Sequence, residues 1–310
     1  MYNIITDNDI KSIVEKPYTL VCGLWHKGCA YIDSVVQQNI IVLEKNPHNP
    51  NIAKYQDKGI MVLVGDAKAL ISQLPFDNLQ SIVIVASNDM DNIEIALAFQ
   101  EALRVQNITA KKLYVHIENH SLQHLYLNDL LHPNNVYANV FSVAKKSVEL
   151  FFRKNALTGE NRNYMESNQP FGVAIVGNTQ LASEMIGHIA TIANLPNENQ
   201  ITLYCIDKDI ESFKNTVQLR FQEIDQISTI RLEYLSLDYQ SQAFYTHQVW
   251  KENLTHIILC DEAKINLQIA TRLLQTSYLI KTIDRKLKTP IHVATYEYDH
   301  LSDKLKDHDY

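Results

Sequence analysis

Short runs that are almost continuously apolar recur along the chain, and stretches of helical length separate them. Such runs are typical of parallel strands that are buried on both faces, because helices cover each face of a parallel sheet. The runs of the first half are Tyr18–Cys22, Ile40–Glu44, Ile60–Val64, Ser81–Ala86 and Lys112–Ile117. The clearest helix covers Asn92–Arg104, where apolar residues line more than one face. This alternation predicts an α/β fold with a doubly wound parallel sheet.

The same alternation begins again after the polar stretch Leu157–Pro170. The runs of the second half are Phe171–Val176, Ile201–Ile206, Ile230–Leu237, His256–Cys260 and Pro290–Thr295. The sequence VCG at 21–23 resembles IVG at 175–177, and residues 85–97 resemble residues 259–271. The chain is therefore predicted to be an internal duplication of two tandem Rossmann-like domains.

The duplication predicts where the chain divides. Residues 1–165 are expected to form a nucleotide-binding domain that includes a crossover helix, and residues 166–310 a second, diverged Rossmann-like domain. The second copy is longer between its first and third strands, where Asp209–Ile224 carries apolar residues at helical spacing.

Composition and charge narrow the class of protein. The 310 residues carry 28 Lys and Arg against 35 Asp and Glu, a formal net charge of −7, which argues against a nucleic acid or an anionic bilayer as partner. The sequence has no apolar run of spanning length, and Asp7 and Asp9 stand where a signal peptide would be basic. The chain is thus expected to be cytoplasmic, and peripheral to the inner membrane only through a partner. Its four cysteines lack CxxC spacing, which indicates reduced thiols.

A glycine loop follows the first strand directly. Gly23-Leu24-Trp25-His26-Lys27-Gly28 is a variant of G-x-G-x-x-G, in which Gly23 permits a tight turn and Gly28 lets the helix pack closely on the strand. The N–H groups at the helix start then face an anion. Trp25 replaces the glycine that lets backbone approach a pyrophosphate, so the site is predicted to be either an altered nucleotide site or empty.

Carboxylates follow the next two strands at the same edge of the predicted sheet. Glu44 ends the second strand, where it can accept hydrogen bonds from ribose hydroxyls. Asp66 and Ala67 follow the third strand, and Asp66 could reach an adenine or ribose edge. The alternative is a plain strand-to-helix turn with Glu44 as a solvated strand end and no ligand.

The second half carries a diverged version of the same loop. Gly177-Asn178-Thr179-Gln180-Leu181-Ala182 places Thr179 and Ala182 at the second and third glycine positions. Asp207 ends the second strand of this half, thirty residues after Gly177 rather than about twenty. Binding and non-binding interpretations stay equally open here. A Walker A loop is excluded because Cys29 and Ala30 follow Gly28.

Other polar groups offer alternatives to a nucleotide site. One cluster could ligate a metal ion, although a polar surface loop explains it better; its members are His116, Glu118, His120 and His124. Asp89 and Asp91 are expected to cap the helix that begins near Asn92. No catalytic triad or zinc-protease motif has supporting spacing in the sequence, so the protein is expected not to be an enzyme.

Four segments resemble the N-terminal domain of the RCK or KTN family: VCGLWHKG at 21–28, IIVLE at 40–44, VGDA at 64–67 and ASNDMDNIEIAL at 86–97. These proteins regulate potassium conductance or are the nucleotide-binding peripheral subunits of Trk- and Ktr-type potassium transport. The resemblance covers residues 17–155 and returns weakly over 171–300. It implies a domain that assembles in pairs, hence a homodimer, and changes its packing when NAD(H), ATP or ADP binds.

The resemblance also implies roles for particular residues. It implies phosphate contact at Gly23–Gly28, ribose contact at Glu44, base contact near Asp66 and Ala67, and a ligand-facing strand end at Ser87, Asn88 and Asp89. The segment Asn139–Leu157 is similar to the family's crossover helix. Its apolar residues Val143, Val148, Phe151 and Phe152 would pair two such domains, although a simple core helix would have the same pattern.

The function that these expectations favour is a non-catalytic nucleotide sensor. It would couple binding of NAD(H) or an adenine nucleotide to potassium transport or channel gating. One alternative is a scaffold or input module whose nucleotide sites are degenerate, with its cleft blocked by Trp25. The other is an NAD-dependent oxidoreductase, which would need a separate substrate domain where this chain has a second Rossmann-like copy.

Overall fold

Two parallel sheets organise the described residues of the computed structural model, which are 15–35, 39–108, 111–130, 137–159, 170–194, 200–279 and 289–295. The chain divides into two compact units, Met1–Val143 and Ala144–Tyr310. Each unit holds one of the sheets, so the predicted α/β fold with two doubly wound parallel sheets is confirmed.

The first unit contains a six-stranded parallel sheet. Its strands are β1 (Tyr18–Cys22), β2 (Ile40–Glu44), β3 (Met61–Val64), β4 (Leu79–Ile84), β5 (Lys112–His116) and β6 (Tyr137–Phe141). Its helices are α1 (His26–Ser34), α2 (Asn51–Asp57), α3 (Ala67–Leu70), α4 (Asp89–Val105) and α5 (His120–Leu130). The strand order is β3-β2-β1-β4-β5-β6, which reverses between β1 and β4. Ligands of such sheets bind at this reversal, beyond the carboxyl ends of the strands.

The second unit repeats this topology with five parallel strands. They are β7 (Gly172–Val176), β8 (Ile201–Asp207), β9 (Ile230–Ser236), β10 (Leu254–Leu259) and β11 (Ile291–Val293). The helices are α6 (Val143–Lys154), which begins at the division between the units, α7 (Gln180–Ile192), α8 (Ile210–Arg220), α9 (Gln242–Thr246) and α10 (Ala263–Leu279). The order β11-β10-β7-β8-β9 corresponds to the order of the first five strands of the first unit.

The central strands are apolar throughout because both of their faces are covered. Every residue of β1 and of β7 is buried. Successive side chains point to opposite faces, so Leu20 lies in one core cluster and Val21 in the other. Val173 and Ala174 divide in the same way in the second unit. All four cysteines are free thiols, and burial raises the pKa of Cys205 to about 12.

The crossover segment differs from its prediction at its start. Residues 139–141 belong to the edge strand β6, and helix α6 begins only at Val143. The compact units divide at the same point, earlier than the predicted boundary near residue 165. The reason is that Ala144 and Val148 on α6 are buried in the core of the second unit, together with Leu157. This packing fits the core-helix alternative, and pairing of two copies through α6 stays a prediction.

The start of one helix and the end of another also differ from their predictions. Asn88 caps α4, because its side-chain oxygen accepts a hydrogen bond from the Asp91 N–H at 2.8 Å; the expectation that Asp89 and Asp91 cap this helix is wrong. Helix α8 ends at Arg220, and a short 3-10 turn follows at Ile224–Gln226. Among the described residues, no helix has the length and apolarity needed to cross a membrane.

Two histidines form a hydrogen-bonded pair on neighbouring strands of the second unit. His256 Nδ1 lies 3.0 Å from His292 Nε2, and His256 Nε2 lies 2.7 Å from the carbonyl oxygen of Ala156. A carbonyl only accepts, so His256 Nε2 donates to it and His256 Nδ1 accepts from His292. Both rings are neutral in this arrangement. Burial lowers the pKa of His256, and burial together with the nearby His256 lowers the pKa of His292 to about 4.

Lowering the pH from about 7.5 to about 5 is expected to reduce the free energy of unfolding of the second unit by about 1 kcal/mol through this pair. As the pH falls below 6.5, the unfolded chain binds protons that the folded rings do not bind. The contribution of the pair to the free energy of unfolding is therefore present above pH 6.5 and lost as the pH falls towards 4. Urea unfolding followed by Trp250 fluorescence in a Trp25→Phe background measures it. His292→Gln keeps a donor towards His256 and removes one titration, and it should flatten the pH slope. An unchanged slope in His292→Gln would contradict the assignment.

Candidate functional site

The glycine loop turns sharply between β1 and α1. Gly23 has a positive φ of 105°, and its N–H donates to the Leu43 carbonyl at 2.9 Å. A Cβ on Gly23 would lie 2.7 Å from the Val85 oxygen, and a Cβ on Gly28 would lie 2.0 Å from the Gly23 oxygen. Backbone oxygens lie too close to both positions for a side chain, so both must be glycine. Gly28 also lets α1 pack against the end of β1.

Glu44 braces this loop from the end of β2. Its Oε2 accepts hydrogen bonds from the Leu24 N–H at 2.9 Å and from Asn49 Nδ2 at 3.0 Å, and its Oε1 accepts from the Asn46 N–H at 2.7 Å. The residue is only 4% exposed, so it is not a solvated strand end. A carboxylate has about four acceptor positions, so one position on Oε1 is left for a ligand.

Asparagines that follow β2 hold the same loop, and sequence reasoning missed them. Asn49 Nδ2 and Asn51 Nδ2 each donate to the Leu24 carbonyl at 3.1 Å. Asn49 is almost fully buried. The only sequence signal is the run of asparagines in NPHNPN at 46–51, which does not reveal where the segment folds back.

The start of α1 is exposed at Trp25 and His26. Trp25 is the N-cap residue, with extended backbone, and its side chain makes no capping hydrogen bond. The first backbone hydrogen bond of the helix runs from Cys29 N to the Trp25 oxygen at 2.8 Å. The N–H groups of residues 26–28 thus lie at an uncapped helix start, where they and the helix dipole favour an anion.

A cleft of ≈ 200 Å³ lies at the carboxyl ends of β1, β2, β3 and β4. The predicted residues in its wall are Gly23, Trp25, Glu44, Asp66, Ala67 and Ser87. Trp25 is 42% exposed and forms part of this wall, so the cleft has room beside the indole. His26, Lys27, Gly28, Asn88 and Asp89 are not in the wall of this cleft.

Asp66 and Asp89 have structural partners in the fold. Asp66 Oδ1 accepts from the Lys68 N–H at 2.9 Å and caps α3, while its Oδ2 lies 3.8 Å from Lys45 Nζ. Asp89 accepts from the N–H groups of Glu118 and Asn119, at 3.0 and 2.7 Å. Asp89 therefore fixes the turn after β5, and Asp66 keeps one oxygen beside a lysine at the cleft.

A buried polar cluster lies at the ends of β5 and β6. His116 is 1% exposed; its Nε2 lies 2.9 Å from Glu118 Oε1 and its Nδ1 lies 3.4 Å from Lys27 Nζ. The rings of His120 and His124 meet edge to face along α5, with centroids 4.4 Å apart. Within the described ranges, no group of three or more His, Cys, Asp or Glu residues could hold a metal ion.

The loop of the second unit has the same backbone but is capped by its own side chain. Gly177 has φ 103°, and Asp207 accepts from the Asn178 N–H at 2.9 Å, as Glu44 does from Leu24. Thr179, unlike Trp25, caps its helix: Oγ1 accepts from the Ala182 N–H at 3.3 Å and donates to the Cys260 carbonyl. One of the N–H groups that an anion would need is thus already bonded.

An asparagine on the helix after the fourth strand occupies equivalent positions in the two units. Asn92 Oδ1 accepts from the Ala86 N–H at 2.7 Å, and its Nδ2 donates to the His116 carbonyl at 2.9 Å. Asn266 makes the same bonds to Asp261 N and the Ala294 carbonyl, at 2.9 and 3.0 Å. Both side chains are fully buried. Each one joins the ends of two neighbouring strands at the edge that carries the glycine loop.

Asn92→Ala is expected to lower the free energy of unfolding of the first unit by about 2 kcal/mol, because a buried N–H and a buried carbonyl lose their partner. Asn266→Ala should cost a similar amount in the second unit. Urea unfolding measures both, with Trp25 as reporter in a Trp250→Phe background and Trp250 as reporter in a Trp25→Phe background. Asn88→Ala removes only an exposed cap and should cost about 1 kcal/mol. Equal effects of Asn88→Ala and Asn92→Ala would contradict the prediction.

The strand order, the glycine turn and the braced acid at the end of β2 define a Rossmann-type α/β protein. Residues 19–127 match the TrkA-N domain family. The first unit therefore carries a TrkA-N domain, and the resemblance to the RCK and KTN family is confirmed over these residues. No curated protein is significantly similar to the chain.

The solved structures that the chain resembles are distant in sequence. The structure of the GsuK RCK domain has a TM-score of 0.50 at 10% identity, over 91% of this chain and 74% of that one. A structure described as the GsuK channel bound to NAD has a TM-score of 0.45 at 10% identity, over 91% and 61%. The NAD(P)-binding domain of an exopolyphosphatase-related protein from Archaeoglobus fulgidus has a TM-score of 0.36 at 15% identity, over 45% and 97%. The likeness to the GsuK RCK domain shows the fold alone.

Proposed function

We propose that the protein is a non-catalytic, cytoplasmic regulator of the RCK type, whose first unit binds NAD(H) or an adenine nucleotide. Binding would be coupled to potassium transport or channel gating through a membrane partner. The single observation that carries the proposal is the open cleft beside an uncapped helix start, with Glu44 fixed at its rim. The TrkA-N match over the same residues supports it.

The size of the cleft indicates which part of a nucleotide it takes. Ligand pockets usually measure about 300 to 1,000 Å³, and this cleft of ≈ 200 Å³ suits one nucleoside. Its walls come from the ends of β1, β2, β3 and β4, so the adenosine part would lie there. Glu44 Oε1 would accept from a ribose hydroxyl, and the base would lie near Asp66 and Ala67. The phosphates would lie outside the cleft, over the N–H groups of residues 26–28.

The two units are proposed to have different roles. In the second unit Thr179 already bonds a helix-start N–H and the Cys260 carbonyl. An anion there would have to displace a bond that the fold makes itself. We therefore assign nucleotide binding to Gly23, Glu44 and their neighbours, and a structural role to Gly177, Thr179, Ala182 and Asp207. A degenerate nucleotide site is thus proposed for the second unit only.

Trp25 provides the test, because it lines the cleft. In a Trp250→Phe background Trp25 is the single tryptophan, and its fluorescence should change on titration with NADH, NAD, ATP, ADP or AMP, with heat release in calorimetry. Ser87→Phe, in the cleft wall, should weaken binding at least about tenfold. Glu262→Phe, an exposed residue after the corresponding strand of the second unit, should leave it unchanged. No signal with any of the five nucleotides would overturn the proposal.

Coupling to potassium transport needs a cellular readout. Rubidium uptake by intact cells should change when the gene for this chain is deleted. The wild-type gene should restore it, and Ser87→Phe should not. If the wild-type and Ser87→Phe genes restored rubidium uptake equally, transport would not depend on the nucleotide site. The predicted homodimer is tested by the mass of the purified protein in light scattering.

A further inference from the structure

A chain of hydrogen bonds leads from the glycine-loop helix to the start of α6, outside the cleft. Lys27 on α1 reaches His116 Nδ1 with its Nζ at 3.4 Å, and His116 Nε2 lies 2.9 Å from Glu118 Oε1. Glu118 Oε1 also accepts from the Val143 N–H at 2.8 Å, and Oε2 accepts from Ser142 Oγ at 2.5 Å. All five residues lie in the first unit.

The donors and acceptors of this chain fix the state of the histidine. The ammonium of Lys27 can only donate, so His116 Nδ1 accepts from it. The proton of the imidazole is then on Nε2, which donates to Glu118. His116 is therefore neutral, and Lys27 supplies the positive charge of the cluster.

The cluster contains two carboxylates and needs one cation. Burial lowers the pKa of Lys27, while Glu118 and Asp89 act on it in the opposite direction. His116 bonds to Lys27 from α1 and to Glu118 from the turn after β5, and the ring of Phe141 from β6 lies 5.5 Å from the imidazole. Asp89, at the start of α4, binds the Glu118 N–H. Lys27 is the cation of this group, and its removal would leave the half-buried carboxylates of Glu118 and Asp89 near a neutral imidazole with an empty acceptor, which favours a proton on Nδ1.

We propose that the Lys27 ammonium and a proton on His116 Nδ1 are alternative cations for the same half-buried carboxylates, Glu118 and Asp89. A nucleotide whose phosphates attract Lys27 from the helix start would thus be bound together with one proton from solvent, taken up on His116 Nδ1. This second part rests on the proposed function, and the first part does not. Nucleotide binding then depends on pH through His116. It also changes the surroundings of Glu118, which accepts from the Val143 N–H at the start of α6.

The ligand-free test uses histidine NMR of the full chain at about pH 7, with His116→Gln identifying the His116 signal. Lys27→Met should convert His116 to the imidazolium form, whereas Lys27→Arg, which keeps the charge, should leave it neutral. Lys27→Gln keeps a donor without charge, and it replaces Lys27→Met if that variant does not fold. A neutral His116 in both uncharged variants overturns the inference.

The ligand test uses calorimetry with ADP and with NADH in two buffers of different ionisation enthalpy. The wild type should take up as much as about one proton per bound nucleotide, and Lys27→Met should take up none. Binding by the wild type without proton uptake overturns the linkage and leaves the proposed function intact. If none of the nucleotides changes Trp25 fluorescence, the proposed function is overturned instead. The ligand-free test then still decides whether a proton on His116 replaces the Lys27 ammonium.

Discussion

Gly28→Ala is expected to lower the free energy of unfolding of the first unit by about 3 kcal/mol, or to prevent its folding. The new Cβ would lie 2.0 Å from the Gly23 oxygen and 3.6 Å from Val85 Cγ2. The Gly23 oxygen cannot move away easily, because the Gly23 N–H is bonded to the Leu43 carbonyl and even a Cβ on Gly23 would lie 2.7 Å from the Val85 oxygen. Alanine improves helix propensity by about 1 kcal/mol, which offsets only part of this cost.

Gly59→Ala is the matched control for this substitution. Gly59 has φ 79°, and nothing lies within 4 Å of the position that its Cβ would take. Its cost is therefore backbone strain alone, about 1 kcal/mol. Urea unfolding followed by Trp25 fluorescence in a Trp250→Phe background measures both variants. A Gly28→Ala protein as stable as Gly59→Ala would show that α1 moves away from β1 without cost, and the close approach would then have no energetic importance.

Strands whose two faces are buried could be predicted from sequence, and the edge strand β6 could not. β1, β2 and β7 are buried at every position, so their sequences are continuously apolar. β6 has the sequence YANVF, which carries an asparagine in its centre and lies at the edge of the sheet. Its pairing with β5 depends on a contact between distant parts of the chain, which no local pattern encodes.

The positions of the site residues could be predicted, but their partners could not. The glycine spacing and the acid at the end of β2 identify the loop and its brace. The three donors of Glu44 include Asn49, whose approach depends on how the segment after β2 folds back. Lys27 and His116 are 89 residues apart in sequence. The sequence therefore suggested a metal-like histidine group where the fold places a lysine ammonium.

The duplicated fold carries different chemistry in its two copies. The turn glycine, the acid that binds the next N–H, and the buried asparagine are shared. Among the positions at which the two loops differ, Trp25 leaves its helix uncapped and Thr179 caps its helix. A side chain that caps a helix competes with an anion for the same N–H groups. The uncapped start of α1 is thus the difference that would favour an anion in the first unit over the second.

Glu44→Ala is expected to lower the free energy of unfolding of the first unit by about 3 kcal/mol and to abolish nucleotide binding there. The substitution leaves the Leu24 N–H, the Asn46 N–H and Asn49 Nδ2 without their acceptor. Each buried donor that loses its partner costs about 1 kcal/mol or more, and water entering the space recovers part of the sum. The loop would also lose the bond that holds it in position for a phosphate.

Two further variants separate bracing from ribose contact. Glu44→Gln keeps an oxygen for Leu24 and Asn49 but turns an amide towards the Asn46 N–H, so the unit should lose about 1 kcal/mol and still bind nucleotide, more weakly. Asp207→Ala is the equivalent change in the second unit, where the carboxylate is half-buried and accepts from two N–H groups. It should destabilise only the unfolding reported by Trp250, by about 1 kcal/mol. Stability measured by Trp25 that is the same in Glu44→Ala and the wild type would contradict the bracing role, because a buried carboxylate that binds three donors, two of them buried, cannot be removed without cost.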